Sequence, residues 1–286
     1  MDAQFWLIQA FNGISYGALL FLLASGLSLI FGVMRIVNLA HGSFFLLGGY
    51  VALTVIWTTG SWLLAIPVAA LTVAVVGLLM ERIFLRPLGF DPLRQVLLTV
   101  GFAYLFQQAA LDIWGGDNLD ITPPDILKGS IVIEGLHLPV YRIFMIGMAG
   151  TIGLALWVTM EKTRIGAMIR ATVDDAQMAR GVGIDTSRVS MFIFALGAFL
   201  AALGGVIGGA FLGVYPGLDF AILPIAFAVV IIGGMGSLTG AAVGSLIVGL
   251  ADNFGKALFP EVSYFTLYAP MVLILALKPT GLFGRE

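Results

Sequence analysis

Charge is missing from most of this chain, and the stretches without it are long. Asp, Glu, Lys and Arg are absent from 3–34, 36–80, 96–111, 143–160, 189–218, 220–251 and 262–277. A helix of roughly 20 apolar residues crosses a hydrocarbon core about 30 Å thick, and in lipid the backbone must satisfy its own hydrogen bonds. Hydrophobic residues make up 60% of the chain and charged residues 10%, against about 25% charged in a soluble domain. A water-soluble chain of 286 residues could not bury that much apolar surface. The expected fold class is all-α, a polytopic transmembrane helical bundle.

Taken in order, 3–34 reads as one long, tilted span closed by Arg35, and Thr58-Thr59-Gly60-Ser61 divides 36–80 into two spans. A short basic loop is expected over 81–95, carrying Arg82, Arg86 and Arg94, and then a span over 96–111. Residues 112–142 are acidic, with Asp112, Asp117, Asp120, Asp125 and Glu134 against Lys128 and Arg142, and the alternation in 131–138 suggests a small hairpin. Further spans follow over 143–160 and 189–214. As one helix, 220–251 would reach about 48 Å at 1.5 Å per residue, too long for one crossing. Its glycine-dense middle, 233–240, is a poor helix interior. A broken or re-entrant helix is therefore expected near 220–251, and the last span is 262–277. The total is about nine crossings, or seven if that pair is re-entrant. The whole of 1–286 is read as a single transmembrane domain.

The one long charged segment is 161–188, with Lys162, Arg164, Arg170, Arg180 and Arg188 interleaved with Glu161, Asp174, Asp175 and Asp185. It hangs as a polar element between two spans. Within it, Arg170 to Arg180 reads as one helix of about three turns, capped at Thr172 or Asp174 and ended by Gly181 and Gly183. Placing Arg35, 81–95, 161–188 and the C-terminus in the cytoplasm leaves only Lys128, Arg142 and Lys256 outside. The positive-inside rule then puts the N-terminus outside and the C-terminus inside.

Two features stand out within the apolar runs. Asn38 and His41, three residues apart, share one helical face. They read either as a helix cap with an interhelical hydrogen bond or as contacts to a transported solute. Gly233, Gly234 and Gly236 mark a helix break, which serves either close packing or a ligand path.

Several functions are excluded. There are no cysteines, so disulfides and thiol chemistry are absent. A net charge of −2 without a basic aromatic patch leaves no nucleic-acid partner. No catalytic motif, metal-ligand pattern or phosphate-binding GxxxxGK[ST] loop occurs. The chain is read as a non-enzyme that holds no cofactor. The apolar runs contain no carboxylate for a proton relay, so a pump of this kind must draw its energy from another subunit.

At four stretches the sequence resembles the permease subunits of branched-chain amino acid ABC transporters. They are VNLAHGSFFLLGGYVAL (37–53), RATVDDAQMARGVGI (170–184), IIGGMGSLTGAAVG (231–244) and KPTGLFG (278–284). The cytoplasmic stretch departs from the Glu-Ala-Ala pattern of other ABC importers, carrying Gln177-Met178-Ala179 there, while Gly183 keeps its spacing.

The resemblance implies a multi-pass inner-membrane permease in the lipid bilayer, paired with an identical or paralogous second permease. It also implies two cytoplasmic ATPases, which bind the ATP, and a periplasmic binding protein that presses on 112–142, 214–219 and 252–262. The ATPase-coupling residues implied are Arg170, Asp174, Asp175, Ala179 and Gly183, and the substrate-pathway candidates are Asn38, His41, Gly233, Gly234 and Gly236. A cargo of urea or short amides, or a self-sufficient channel or carrier for small neutral solutes, stays open from the residues alone.

Overall fold

The computed structural model describes residues 3–89, 91–133 and 135–284, so that Glu134 of the acidic segment lies outside the described residues. Among the described residues, seven helices are long and apolar enough to cross a membrane, and two shorter apolar helices accompany them. The chain is a helical bundle, as its charge-free runs dictate.

Helix α1 (Ala3–Met34) is the single long span expected. Helices α2 (His41–Thr59) and α3 (Trp62–Met80) are separated where the Thr-Thr-Gly-Ser turn falls. Gly60 closes α2 at φ 69° and Ser61 caps α3 by accepting from the Leu64 amide. The basic segment 81–95 is not the loop expected. Glu81–Leu85 extends α3 as a π-turn and Arg86–Leu88 as a 3₁₀ turn, and Asp91 then caps α4 (Pro92–Trp114). The polar residues there stay helical because they ride on the end of a helix whose apolar side is already packed. Strands β1 (Ser130–Ile133) and β2 (Leu136–Pro139) form the small hairpin, antiparallel with Ser130 opposite Pro139. They lead into α5 (Val140–Lys162).

The polar segment holds two helices rather than one, α6 (Arg164–Asp174) and α7 (Ala176–Gly181). Neither Thr172 nor Asp174 is the cap. The Thr172 hydroxyl donates to the Met168 carbonyl at 2.8 Å, and Asp175 interrupts the run in an extended conformation. Its carboxylate accepts from the Gln177 and Met178 amides at 2.8 and 2.9 Å. An Asp that caps its own following turn competes with helix continuation, which is why one apparent helix becomes two.

Helix α8 (Thr186–Leu212) is followed by α9 (Leu218–Gly233), α10 (Leu238–Leu258) and α11 (Ser263–Leu277). The break near 220–251 is real and falls at 234–237, where Gly234 and Gly236 take φ 100° and 82° and Ser237 caps α10. Two expected outer loops are shorter than read: Leu218 and Asp219 are buried in the first turn of α9, and 252–258 completes α10.

Helices α1 and α8 form the centre. Helix α1 runs along α10, α8 and α5, while α8 packs on α1, α2 and α3. Small residues set these spacings. A side chain added at Gly205 would meet the Phe45 carbonyl of α2 directly, and one at Gly17 would meet the Ser245 carbonyl of α10 at 2.8 Å. On α5, by contrast, Gly150 faces open space.

These contacts give a stability test. Overpacking a well-filled interior costs about 1–3 kcal/mol or more. Gly205→Leu is expected to lower the melting temperature of the detergent-purified protein by several degrees. Gly150→Leu should leave it unchanged or slightly raised, since Gly is a poor helix former.

Candidate functional site

The segment between α1 and α2 does not sit at the end of the bundle. Arg35, with φ 54°, reverses the chain, and Ile36, Asn38 and Ala40 run back into the interior fully or nearly fully buried. His41 donates from Nε2 to the Leu23 carbonyl of α1 at 2.9 Å. Because a carbonyl only accepts, the proton is on Nε2 and Nδ1 is a bare acceptor. Leu23 lies roughly 16 Å back along the axis from Met34, at 1.5 Å per residue. The chain thus turns back along α1 by about eleven residues before α2 begins, and α2 starts inside the bundle rather than at its end.

Helix α9 begins at the same level. Its first-turn Asp219 is 2% exposed and accepts a hydrogen bond from the Ser43 hydroxyl of α2 at 2.8 Å. The two helices therefore set their N-termini against each other, α2 running to one membrane face and α9 to the other. Neither has a side-chain cap from its N-cap residue, Ala40 or Gly217. An uncapped helix start carries unpaired N–H donors and about half a positive charge. Buried side-chain atoms without a partner gather here as well: Asn38 Nδ2, His41 Nδ1, Tyr50 OH and Asp219 Oδ1. Each such group in a dry interior costs free energy unless something meets it.

The five pathway candidates divide. Asn38 and His41 belong to this buried junction, although their other polar atoms make an Asx-type bond to the Ala40 amide at 3.1 Å and the bond to Leu23. Gly233, Gly234 and Gly236 lie at the opposite end of α9; on α1, His41 meets Leu23 and Gly236 meets Gly32, about 13.5 Å apart at 1.5 Å per residue. There they are packed, Gly233 on Gly240, Gly236 on Gly32 and Gly234 on Gly281 and Gly284. The Leu282 and Phe283 amides of the C-terminal tail donate to the Ile232 and Gly233 carbonyls, both at 2.9 Å. The glycines thus make a joint clamped by α1 and the tail. Between the two groups lies a smaller apolar cavity of about 260 Å³ whose lining includes Val37, next to Asn38, and Met235, between Gly234 and Gly236.

Sequence reasoning missed Asp219 and Ser43. Asp219 stands at the border of two charge-free runs and so resembles a loop residue. The available signal was Pro216-Gly217 followed at once by an apolar helix with no Ser, Thr or Asn to cap it.

Beside the junction lies a cavity of about 470 Å³ with an apolar lining that includes Leu39, Val100, Phe220, Leu223 and Phe227. Ligand pockets are typically about 300–1,000 Å³, apolar with a few polar groups. Here the polar groups stand one residue behind the lining, next to Leu39 and Phe220.

Of the coupling candidates, Asp174 and Asp175 are exposed and Asp175 is the cap of α7. Arg170 donates to the Met160 carbonyl and lies 3.9 Å from Glu161, which fastens α6 to the end of α5. Gly183 is exposed at φ 90° and ends α7. Ala179 is not presented outward: it is 3% exposed and its carbonyl accepts from the Ile184 amide. The outward residues are Met178 and Val182, at 66% and 71% exposed. On the hairpin side, Ile126 is 84% exposed between Asp125 and Lys128, whose 2.6 Å contact holds the Asp125 carboxyl below its usual range.

Comparison with known proteins agrees with this architecture. The family described as the permease component of branched-chain amino acid transport systems matches residues 9–275. A high-affinity branched-chain amino acid transport system permease, LivH of Escherichia coli K12, is 32% identical over 305 residues, covering 100% of this chain and 98% of its own. The corresponding BraD permease of Pseudomonas aeruginosa is 28% identical, with 98% and 96% covered. An autoinducer 2 import system permease of Yersinia pestis is 27% identical over 267 residues, with 88% and 72% covered. No solved structure matches. The chain is a multi-pass membrane protein and belongs to the family of branched-chain amino acid transport system permease components.

Proposed function

We propose that this chain is one permease subunit of an ATP-driven importer for branched-chain or other small amino acids, gripped at 161–188 by a cytoplasmic ATPase. The observation that carries this reading is the pair Met178 and Val182, one helical turn apart on a polar element outside every apolar span and exposed at 66% and 71%. Two adjacent apolar side chains held out on a polar surface suit a protein contact. Arg170, Asp175, Ala179 and Gly183 build the frame beneath them. Arg170 ties α6 to α5, Asp175 starts α7, Ala179 seats it and Gly183 turns the chain into α8. Asp174 adds charge beside the contact, where charge sets register more than affinity.

Movement of this handle travels along two short routes. Helix α6 is fastened to the end of α5, and α7 leads directly into α8, which packs on α1, α2 and α3. The ATPases bind the nucleotide, and this chain carries no cofactor. A periplasmic binding protein delivers cargo to the face bearing 112–142, so the N-terminus is outside and the C-terminus inside. A second permease, identical or paralogous, completes the path beside the cavity next to α9. The amino-acid cargo follows from the relatives' names and from a path with few fixed charges, suited to a zwitterion with an apolar side chain.

Three measurements test this reading. Fully burying an apolar side chain of this size is worth about 1.5–3 kcal/mol, and about 1.4 kcal/mol is tenfold in affinity. Met178→Asp with Val182→Asp is expected to reduce ATPase co-purification at least tenfold, and unchanged recovery would contradict the docking surface. Since the chain has no cysteine, single thiols report sidedness: an impermeant maleimide on intact cells should label I126C and spare M178C, with the reverse in inverted vesicles. Leucine uptake into proteoliposomes should require the ATPases and ATP, whereas flux through this chain alone would favour a self-sufficient carrier.

A further inference from the structure

We propose that the buried junction of α2 and α9 is a binding point for the zwitterionic head of an α-amino acid, with Asp219 receiving the ammonium and the first-turn amides of α2 receiving the carboxylate. This inference rests on the amino-acid cargo argued above and adds the place and the groups that hold it.

Three independent features converge there. The first is the buried carboxylate. Asp219 is 2% exposed, Ser43 donates to one of its oxygens at 2.8 Å, and the other oxygen, Oδ1, has no hydrogen-bond partner. The backbone amides of Gly217, Asp219 and Phe220 and the Ser43 hydroxyl favour an anion there, and Oδ1, which has no partner at full hydrogen-bond geometry, is where a cationic donor adds most. The second is the start of α2, where Asn38 takes the Ala40 amide on Oδ1 at 3.1 Å and the His41 amide on its carbonyl at 3.3 Å, so that the amides able to meet an anion are those of Gly42 and Ser43. Helix starts of this kind present N–H groups and positive potential to an anion. Ser43 belongs to that first turn, so the anion-seeking and cation-seeking groups are neighbours, as the carboxylate and ammonium of an α-amino acid are.

The third feature is the cavity of about 470 Å³, whose walls include Leu39 and Phe220, the chain neighbours of Asn38 and Asp219. An apolar side chain fits the cavity while the head lies one residue deeper. Asn38 Nδ2 and His41 Nδ1, a donor and an acceptor that are both buried and without partners, adjoin the same first turn of α2. In the arrangement seen here the junction is shut, so the head enters when Leu39 and Phe220 move apart during transport. The geometry favours a zwitterion over urea or an amide, because an uncharged head leaves the Asp219 carboxylate without a cation to meet it.

The test uses the assembled transporter with its ATPases and binding protein. Leucine uptake by the unaltered complex comes first. If leucine is not moved, the cargo assignment fails whatever Asp219 does. If it is moved, Asp219→Asn, which keeps the shape and still accepts from Ser43, should lower uptake at least tenfold in a complex that assembles normally. Uptake within twofold of the original would overturn the inference. The second readout is S43C in this cysteine-free chain, treated with methanethiosulfonate ethylammonium during ATP turnover and read by mass spectrometry. Modification slowed at least fivefold by saturating leucine, with that protection lost when Asp219→Asn is added, is the expected result. A thiol that stays unmodified, or reacts equally with and without leucine, would overturn the inference even if Asp219→Asn alone did not assemble.

Discussion

Lipid offers no hydrogen bonds, and that single constraint organises this molecule. Every polar group inside the bundle must find its partner within the protein, so polarity is gathered into a few places rather than scattered. Most polar side chains in the spans solve the problem locally, as when the hydroxyls of Ser15, Thr54 and Thr151 donate to carbonyls one turn back. At the junction of α2 and α9 the solution is not local. There two helix starts, a carboxylate and an imidazole share one dry volume, linked by the Ser43–Asp219 bond and the His41–Leu23 bond. Several buried polar atoms there have no partner, in a bundle where buried carboxylates are few.

The same economy separates the working parts. The buried polar junction lies inside the bundle, the exposed pair Met178 and Val182 lies outside the apolar spans, and helices connect the two. The glycine-rich stretch at 233–240 is packed shut, with α10 against Gly233, α1 against Gly236 and the C-terminal tail on the last carbonyls of α9. It is a joint where short side chains let four segments meet. A joint with backbone clamped on two sides can pivot as a unit, which suits transmission of a domain movement better than lining a path.

Much of this was readable from the chain. The charge-free runs gave the spans, because a charge in lipid is expensive enough to mark boundaries. Gly60 and the 233–240 break were visible, because glycine-dense turns are poor helix. The polar segment 161–188 was visible for the opposite reason, as the one place where charge is dense. What failed shares a cause. The cap lies at Asp175 rather than Thr172 or Asp174, and Ala179 faces inward, because a cap and an inward alanine are set by three-dimensional packing, which composition does not encode. Asp219 was passed over because a carboxylate at the edge of an apolar run looks the same whether the chain stops at the surface or dips into the bundle. That dip depends on Gly42 and Leu223 packing across two helices distant in sequence. Likewise 81–95 looked like a loop by charge alone, although Arg82 and Arg86 ride on a continuing helix.

A transporter of this design stands or falls on a polar handle that moves a charge-poor bundle enclosing a buried polar junction. The most direct measurement is a structure of the assembled complex with leucine bound, determined by electron cryomicroscopy. The account requires Met178 and Val182 buried in the ATPase and ligand density between the first turn of α2 and Asp219. An ATPase seated away from 176–182, or ligand density confined to the 233–240 joint with the Ser43–Asp219 contact unchanged, would contradict it.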